Sequence, residues 1–166
     1  MPRGNGYLRA RIRHLVVTRA ADRLTLGILG RRHRAQEIAL REVELRVPGW
    51  PASRDGLRIA HLSDFHLGDL MPVGRAVEAV ERIARRRPDL VACTGDVVDL
   101  DVDGCEPLLE AMGAVQAPFG RFLVLGNHDH LHDAAELVAM AEVHGLRVPH
   151  GQVMRAGDAA DPLDEG

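Results

Sequence analysis

At 166 residues, 46% of them hydrophobic, the chain is about one domain with enough apolar side chains for its own core, which excludes a disordered polypeptide and a disulfide-stapled miniprotein. Its net charge of −3 is split: residues 1–60 carry 13 Arg against five acids, or +8, and residues 61–166 carry eight Arg against 19 acids, or −11. An acidic body suits the ligation of hard cations and argues against a surface that wraps nucleic acid, so no nucleic-acid partner is expected.

Residues 1–36 form a basic N-terminal arm. Leu15, Val16, Leu24, Ile28 and Leu29 give it a weak helical stripe with Arg on the other faces, which predicts a surface helix. A charge run of this kind is read first as a solvated arm, with peripheral contact to anionic lipid at the inner membrane as the alternative. The longest apolar stretch, 15–30, is interrupted by Arg19, Asp22 and Arg23 and is too short and charged to cross a bilayer. No uninterrupted apolar run precedes a small-residue cleavage site, so no secretory signal is read and a cytoplasmic location is expected.

Strict alternation over 42–47 (Val43, Leu45 and Val47 against Glu42, Glu44 and Arg46) predicts a half-buried strand, ended by Pro48-Gly49-Trp50-Pro51. Trp50 is read as a packing residue. An apolar run at 57–62 predicts the next strand, and His61 inside it reads as a hydrogen-bonded core histidine. Pro72 can open a helix whose apolar positions, Val73, Ala76, Val77, Val80, Ile83 and Ala84, recur at helical spacing. Strands follow at 90–93 and 121–125, with a helix at 108–115 between them. Asp133 can cap a last helix, and 146–148 begins a fourth strand.

This order, β-α-β-α-β-α-β over residues 37–150, predicts an α/β domain with right-handed crossovers and helices on both faces of a parallel sheet. Residues 151–166 have no hydrophobic period and read as a disordered acidic tail. Cys93 and Cys105 belong to no paired motif, and Cys93 reads as a core residue, which fits a reducing compartment.

Three short runs share one chemistry: Asp64-Phe65-His66, Gly95-Asp96-Val97-Val98-Asp99 and Gly126-Asn127-His128-Asp129. Asp64 and Asp96 are 32 positions apart, and Asp96 and Asn127 are 31 apart. One strand and its crossover helix occupy about 30 residues, so the spacing predicts three successive parallel strands delivering their ends to one rim. Ligands of open α/β sheets bind there.

Carboxylate, imidazole and amide side chains without thiolate suit Mn, Fe or Zn. Asp64 and His66 can grip one ion from the same side, Asp96 can bridge two with its two oxygens, and Asn127 adds a neutral oxygen. Two ions about 3.5–4 Å apart would clamp a phosphoryl group. His128, not needed as a ligand, could donate to the leaving oxygen, with Asp129 holding its tautomer from behind.

In this order and spacing the three runs resemble the calcineurin-like metallophosphoesterase family, over roughly residues 37–150. The resemblance implies a four-layer sandwich of two packed sheets flanked by helices, of which this chain holds the first βαβαβαβ half. It also implies hydrolysis of phosphate mono- or diesters at a two-metal centre. By it, Asp64, His66 and Asp96 hold the first metal, Asp96 and Asn127 share the second, His128 acts on the leaving group and Asp99 supports from outside. The family adds downstream histidines in a Gly-His pair and a Gly-His-x-His run, and this sequence has neither. Its later histidines are His128, His130, His132, His144 and His150, of which His130 and His132 read as cleft-edge or exposed. The expectation is therefore a hydrolase crippled by truncation. The alternatives are a non-catalytic fragment and a doubly wound binding domain with at most a weak metal site.

Overall fold

A computed structural model describes residues 5–131 and 133–149; the predicted acidic tail, His132 and His150 lie outside the described residues. The basic head is helical. Helix α1 (Asn5–Arg13) runs into a wider π-helical segment (His14–Ala20) and the short α2 (Ala21–Leu24), and after a turn comes α3 (Ile28–Arg34). Gly27, at φ 77°, makes the turn, and the Asp22 carboxylate accepts the Gly30 N–H at 2.7 Å, folding α3 back against α2.

Residues 37–47 form no strand, contrary to the alternation read in 42–47. Val43, Leu45 and Val47 are all exposed, and among the described residues no strand pairs with this segment; the Val47 carbonyl instead accepts the Trp50 N–H at 3.1 Å in the turn that follows. Alternation marks a strand only where a partner strand exists to pair with it. Trp50 does not pack into the core either. It is half-exposed and donates its indole N–H to the Arg54 carbonyl at 2.7 Å, closing the loop around a short 3₁₀ turn (Ala52–Arg54).

The body follows the predicted rhythm: β1 (Ile59–Leu62), α4 (Val73–Ala84), β2 (Leu90–Cys93), α5 (Glu106–Ala114), β3 (Arg121–Leu123) and α6 (Ala134–Val143). Each helix start has a local cause. Pro72 precedes α4, Pro107 lies in the first turn of α5, and the Asp133 carboxylate accepts the Glu136 N–H at 3.1 Å to cap α6. The strands form one parallel sheet in the order β1-β2-β3, with Ile59 opposite Leu90 and Val91 opposite Arg121. The fourth strand is present as a single parallel bridge: Leu123 N–H donates to the Arg147 carbonyl at 2.9 Å, and Arg147 N–H donates to that of Arg121 at 2.8 Å.

Helix α4 packs on α5, and α5 on α6. Strands laid down in sequence order with right-handed crossovers place the connecting helices α4, α5 and α6 on the same face, so the expectation that these helices divide between both faces is corrected. On the covered face Leu62, Cys93 and Leu123 form one row and Val91 another, packed against Val80, Leu108, Leu109, Met112 and Leu137. The opposite face carries Ile59, 55% exposed, Val124, 46% exposed, and His61. His61 is thus an exposed histidine rather than a core one, with Nε2 2.8 Å from the Thr94 hydroxyl.

Cys93 and Cys105 are fully buried, and burial pushes each thiol up to about 11. Thiolate is the reactive form, so the native protein at pH 8 is expected to resist an aromatic disulfide reagent and to release two equivalents of thiol once denatured. Labelling of either cysteine in the native protein at the rate of a small free thiol would contradict this packing.

Candidate metal centre

Beyond the sheet, the loops after β1 and β2 stay zipped in parallel. The Asp64 N–H donates to the Gly95 carbonyl (3.1 Å), His66 N–H to Asp96 (2.9 Å), Leu67 N–H to Val97 (2.9 Å) and Asp99 N–H to Leu67 (3.2 Å). Phe65 is buried in the core, so its neighbours Asp64 and His66 turn to the rim. Asp64, His66 and Asp96 all adopt the left-handed region, with φ of 55°, 45° and 53°. That region is uncommon for residues with a Cβ, and such strain collects where function requires a side chain in a set direction.

Two glycines permit the third loop to join. A Cβ on Gly95 would lie far inside contact distance of the Gly126 amide, and one on Gly126 would collide with the Asp96 carboxylate. These close approaches bring the His128 N–H to Asp96 Oδ1 at 2.9 Å. Asp96 therefore sits between the first and third motifs, with Oδ1 taken by the loop amide and Oδ2 turned toward His66.

His66 Nε2 lies 3.7 Å from Asp64 Oδ1 and 3.6 Å from Asp96 Oδ2. Both distances are too long for hydrogen bonds. They suit donor atoms that share a cation, since two bonds of about 2.1 Å separate their donors by roughly 3.4 Å at the tetrahedral angle. The same three residues form a group whose ligand atoms all lie within 4.8 Å of one another, and His66, Asp99 and His128 form a second. His66 Nδ1 is buried without a hydrogen-bond partner among the described residues. Oxygen and imidazole donors without thiolate fit a divalent ion of hard or borderline character.

Of the sequence-predicted site residues, Asp64, His66 and Asp96 are thus brought together. Asn127 is exposed on the adjoining turn, between Gly126 and His128, whose backbones both touch Asp96. The His128 ring meets His66 edge-on, with centroids 4.5 Å apart. Its Nδ1 lies 3.0 Å from the Asp99 carbonyl oxygen and 3.2 Å from Asp99 Oδ1. The group behind His128 is therefore Asp99, not Asp129. Asp129 has no exposed surface: Oδ1 accepts the Val98 N–H at 3.1 Å and Oδ2 the Gly126 N–H at 2.9 Å, so its carboxylate ties the second motif loop to the third. His130 is exposed.

The head contributes residues that sequence reasoning missed. His14 Nδ1 is 3.1 Å from Asp99 Oδ2, and its Nε2 is 3.2 Å from Asp69 Oδ2. Arg19 Nε donates to the same Asp69 oxygen at 2.7 Å, and this hydrogen bond holds the Asp69 carboxyl below the usual range. No spacing signal connects positions so far apart in the chain. A cavity of about 390 Å³ lies between head and rim, lined by His14, Arg19, Asp69, Asp99 and Asp101 among others.

The family model for calcineurin-like phosphoesterases matches residues 57–155. A transmembrane protein with a metallophosphoesterase domain from Danio rerio is 28% identical over 155 residues, covering 91% of this chain and 34% of the relative. A metallophosphoesterase of Aquifex aeolicus is 33% identical over 99 residues, covering 59% and 38%. The UDP-2,3-diacylglucosamine pyrophosphatase LpxG of Chlamydia muridarum is 31% identical over 94 residues, covering 56% and 29%. The chain spans about a third of the length of these curated relatives. No solved structure matches it.

Proposed function

The chain belongs to the calcineurin-like phosphoesterase family, and from that premise we propose that Asp64, His66, Asp96 and Asn127 hold two divalent ions, of Mn, Fe or Zn, for hydrolysis of a phosphate mono- or diester. The observation that carries this reading is the placement of His66 Nε2 at 3.6–3.7 Å from carboxylate oxygens of both Asp64 and Asp96. Bound metal would neutralise phosphoryl charge and supply water of lowered pKa.

The chain's own residues set the rest. Both atoms facing His128 Nδ1 are acceptors, so that nitrogen carries a proton and the ring trades protons with the leaving oxygen through Nε2. Asp129 enters as the clamp that keeps Asp96 and His128 in one frame, rather than as a proton carrier. The relative from Chlamydia muridarum is by its name a pyrophosphatase of UDP-2,3-diacylglucosamine, so a pyrophosphate diester belongs among the substrates to try.

Among the described residues no helix is long and apolar enough to cross a membrane. We propose a cytoplasmic location, with the Arg-rich head as the part suited to peripheral contact with the inner membrane.

The test is hydrolysis of an aryl phosphodiester with and without Mn²⁺, alongside metal analysis by mass spectrometry. Four protein ligands serve two ions here, and Asp96 is shared, so the 166-residue polypeptide is expected to retain about one ion and to turn over slowly. Metal-independent hydrolysis, or no retained metal at micromolar Mn²⁺, would refute the proposed centre. Two tightly held ions would refute the ligand shortage.

A further inference from the structure

The head is amphipathic the wrong way round for a helix docked on a soluble body. Three of its polar side chains reach inward to the body: the buried Tyr7 hydroxyl donates to Asp101 Oδ1 at 3.1 Å, His14 lies between Asp69 and Asp99, and Arg19 holds Asp69. Its apolar side chains face outward. Leu8, Ile12 and Val16 recur at i, i+4 and i+8 and are 57%, 52% and 63% exposed, and Leu24 is 85% exposed. An amphipathic helix ordinarily buries that stripe. Here docking leaves the stripe free, so the apolar face is open to something other than the body.

Charge narrows what that is. Residues 5–34 carry eight Arg and one acid, Asp22, and Arg9 and Arg11 are exposed beside the stripe. An apolar face flanked by Arg with almost no carboxylate matches the boundary between anionic headgroups and acyl chains. We propose that residues 5–34 seat on an anionic lipid surface through the Leu8–Ile12–Val16 stripe and, through the His14 and Arg19 contacts, hold the metal-centre rim against that surface. His14 lies on α1's continuation between Ile12 and Val16, and a helix with side chains is about 10–12 Å across. The Asp99–His128 pair therefore sits roughly one helix diameter above the lipid. The substrate class this favours is a phosphoester whose organic part remains in the membrane, a point that rests on the phosphoesterase reading; the docking itself does not.

Flotation of the 166-residue protein with vesicles tests it, comparing equal phosphatidylglycerol and phosphatidylcholine with phosphatidylcholine alone at 0.1 M salt. At least tenfold more protein is expected on the anionic vesicles. The triple variant Leu8→Asp/Ile12→Asp/Val16→Asp should lose that binding at least tenfold with an unchanged circular dichroism spectrum, because these side chains meet solvent. Arg9→Glu/Arg11→Glu, which leaves the stripe intact, should weaken binding severalfold. Equal binding to both vesicle types, undiminished binding of the triple variant, or a wild-type dimer that the triple variant converts to monomer would each overturn the proposal. Aryl phosphodiester hydrolysis in the same samples separates the two readings. Hydrolysis without flotation refutes the docking alone, and flotation without hydrolysis refutes the phosphoesterase reading alone.

Discussion

Asp96→Asn is expected to lower metal retention by more than about 100-fold and to abolish metal-dependent hydrolysis. Loss of an outer partner of a ligand already costs about 10- to 100-fold in affinity, and Asp96 is proposed as a ligand to both ions. The substitution isolates charge from shape. Asn can still accept the His128 N–H through Oδ1, which Asp96 does at 2.9 Å, while the Oδ2 end that faces His66 at 3.6 Å becomes an uncharged donor. The loops should therefore stay in place and the melting temperature change little. His128→Ala is the contrast: its ring is proposed to serve the leaving group, so kcat should fall by about 100-fold or more with metal content near wild type. Metal content from mass spectrometry, set beside kcat, decides. Equal metal loss in the two variants would sink this division of roles.

Asp129→Ala is expected to destabilise the fold by about 3–5 kcal/mol, the largest single effect foreseen for a side chain outside the apolar core. Asp129 is fully buried, and each oxygen accepts one backbone N–H from a different motif loop, Val98 at 3.1 Å and Gly126 at 2.9 Å. Truncation leaves these amides unpaired, at about 1–3 kcal/mol for each desolvated group, and opens a small void. Against a total stability of order 5–15 kcal/mol, the melting temperature should fall by about 10–20 °C. Because Gly126 adjoins the Asp96 carboxylate, metal retention should fall with it. A melting temperature within 2 °C of wild type would show that the clamp holds nothing together.

The parts of the molecule governed by short-range rules were legible from residues alone. Apolar periodicity and the Pro and Asp starts located α4, α5 and α6, and the near-equal motif spacing anticipated the strand ends that carry Asp64, His66 and Asp96. What escaped depends on partners distant in sequence. The alternation at Val43, Leu45 and Val47 reported capacity for a strand, but pairing needs a second chain segment. His61 sits in an apolar run, yet whether it is buried depends on which face the crossovers cover. At the site, the adjacency of His128 and Asp129 suggested a pair, and the turn of 127–130 instead sent the Asp129 carboxylate inward. Asp99 and His14, 85 positions apart, meet only once the head has docked.

The left-handed backbone at Asp64, His66 and Asp96 sets selection for fold and selection for chemistry against each other. At such dihedrals a side chain costs about 1–2 kcal/mol that glycine does not. The conflict is sharpest at Asp64, whose largely exposed carboxylate does little for packing: glycine there would relax the chain while deleting a ligand. Most inactivating changes in enzymes also weaken the fold, so quality control removes them with the misfolded protein. Here the easiest route to inactivity leads uphill in stability. A lineage released from the need to bind metal would drift toward glycine at these positions and leave well-folded, abundant, inert descendants, in which the 31- to 32-residue rhythm of strand ends outlasts the chemistry it once served.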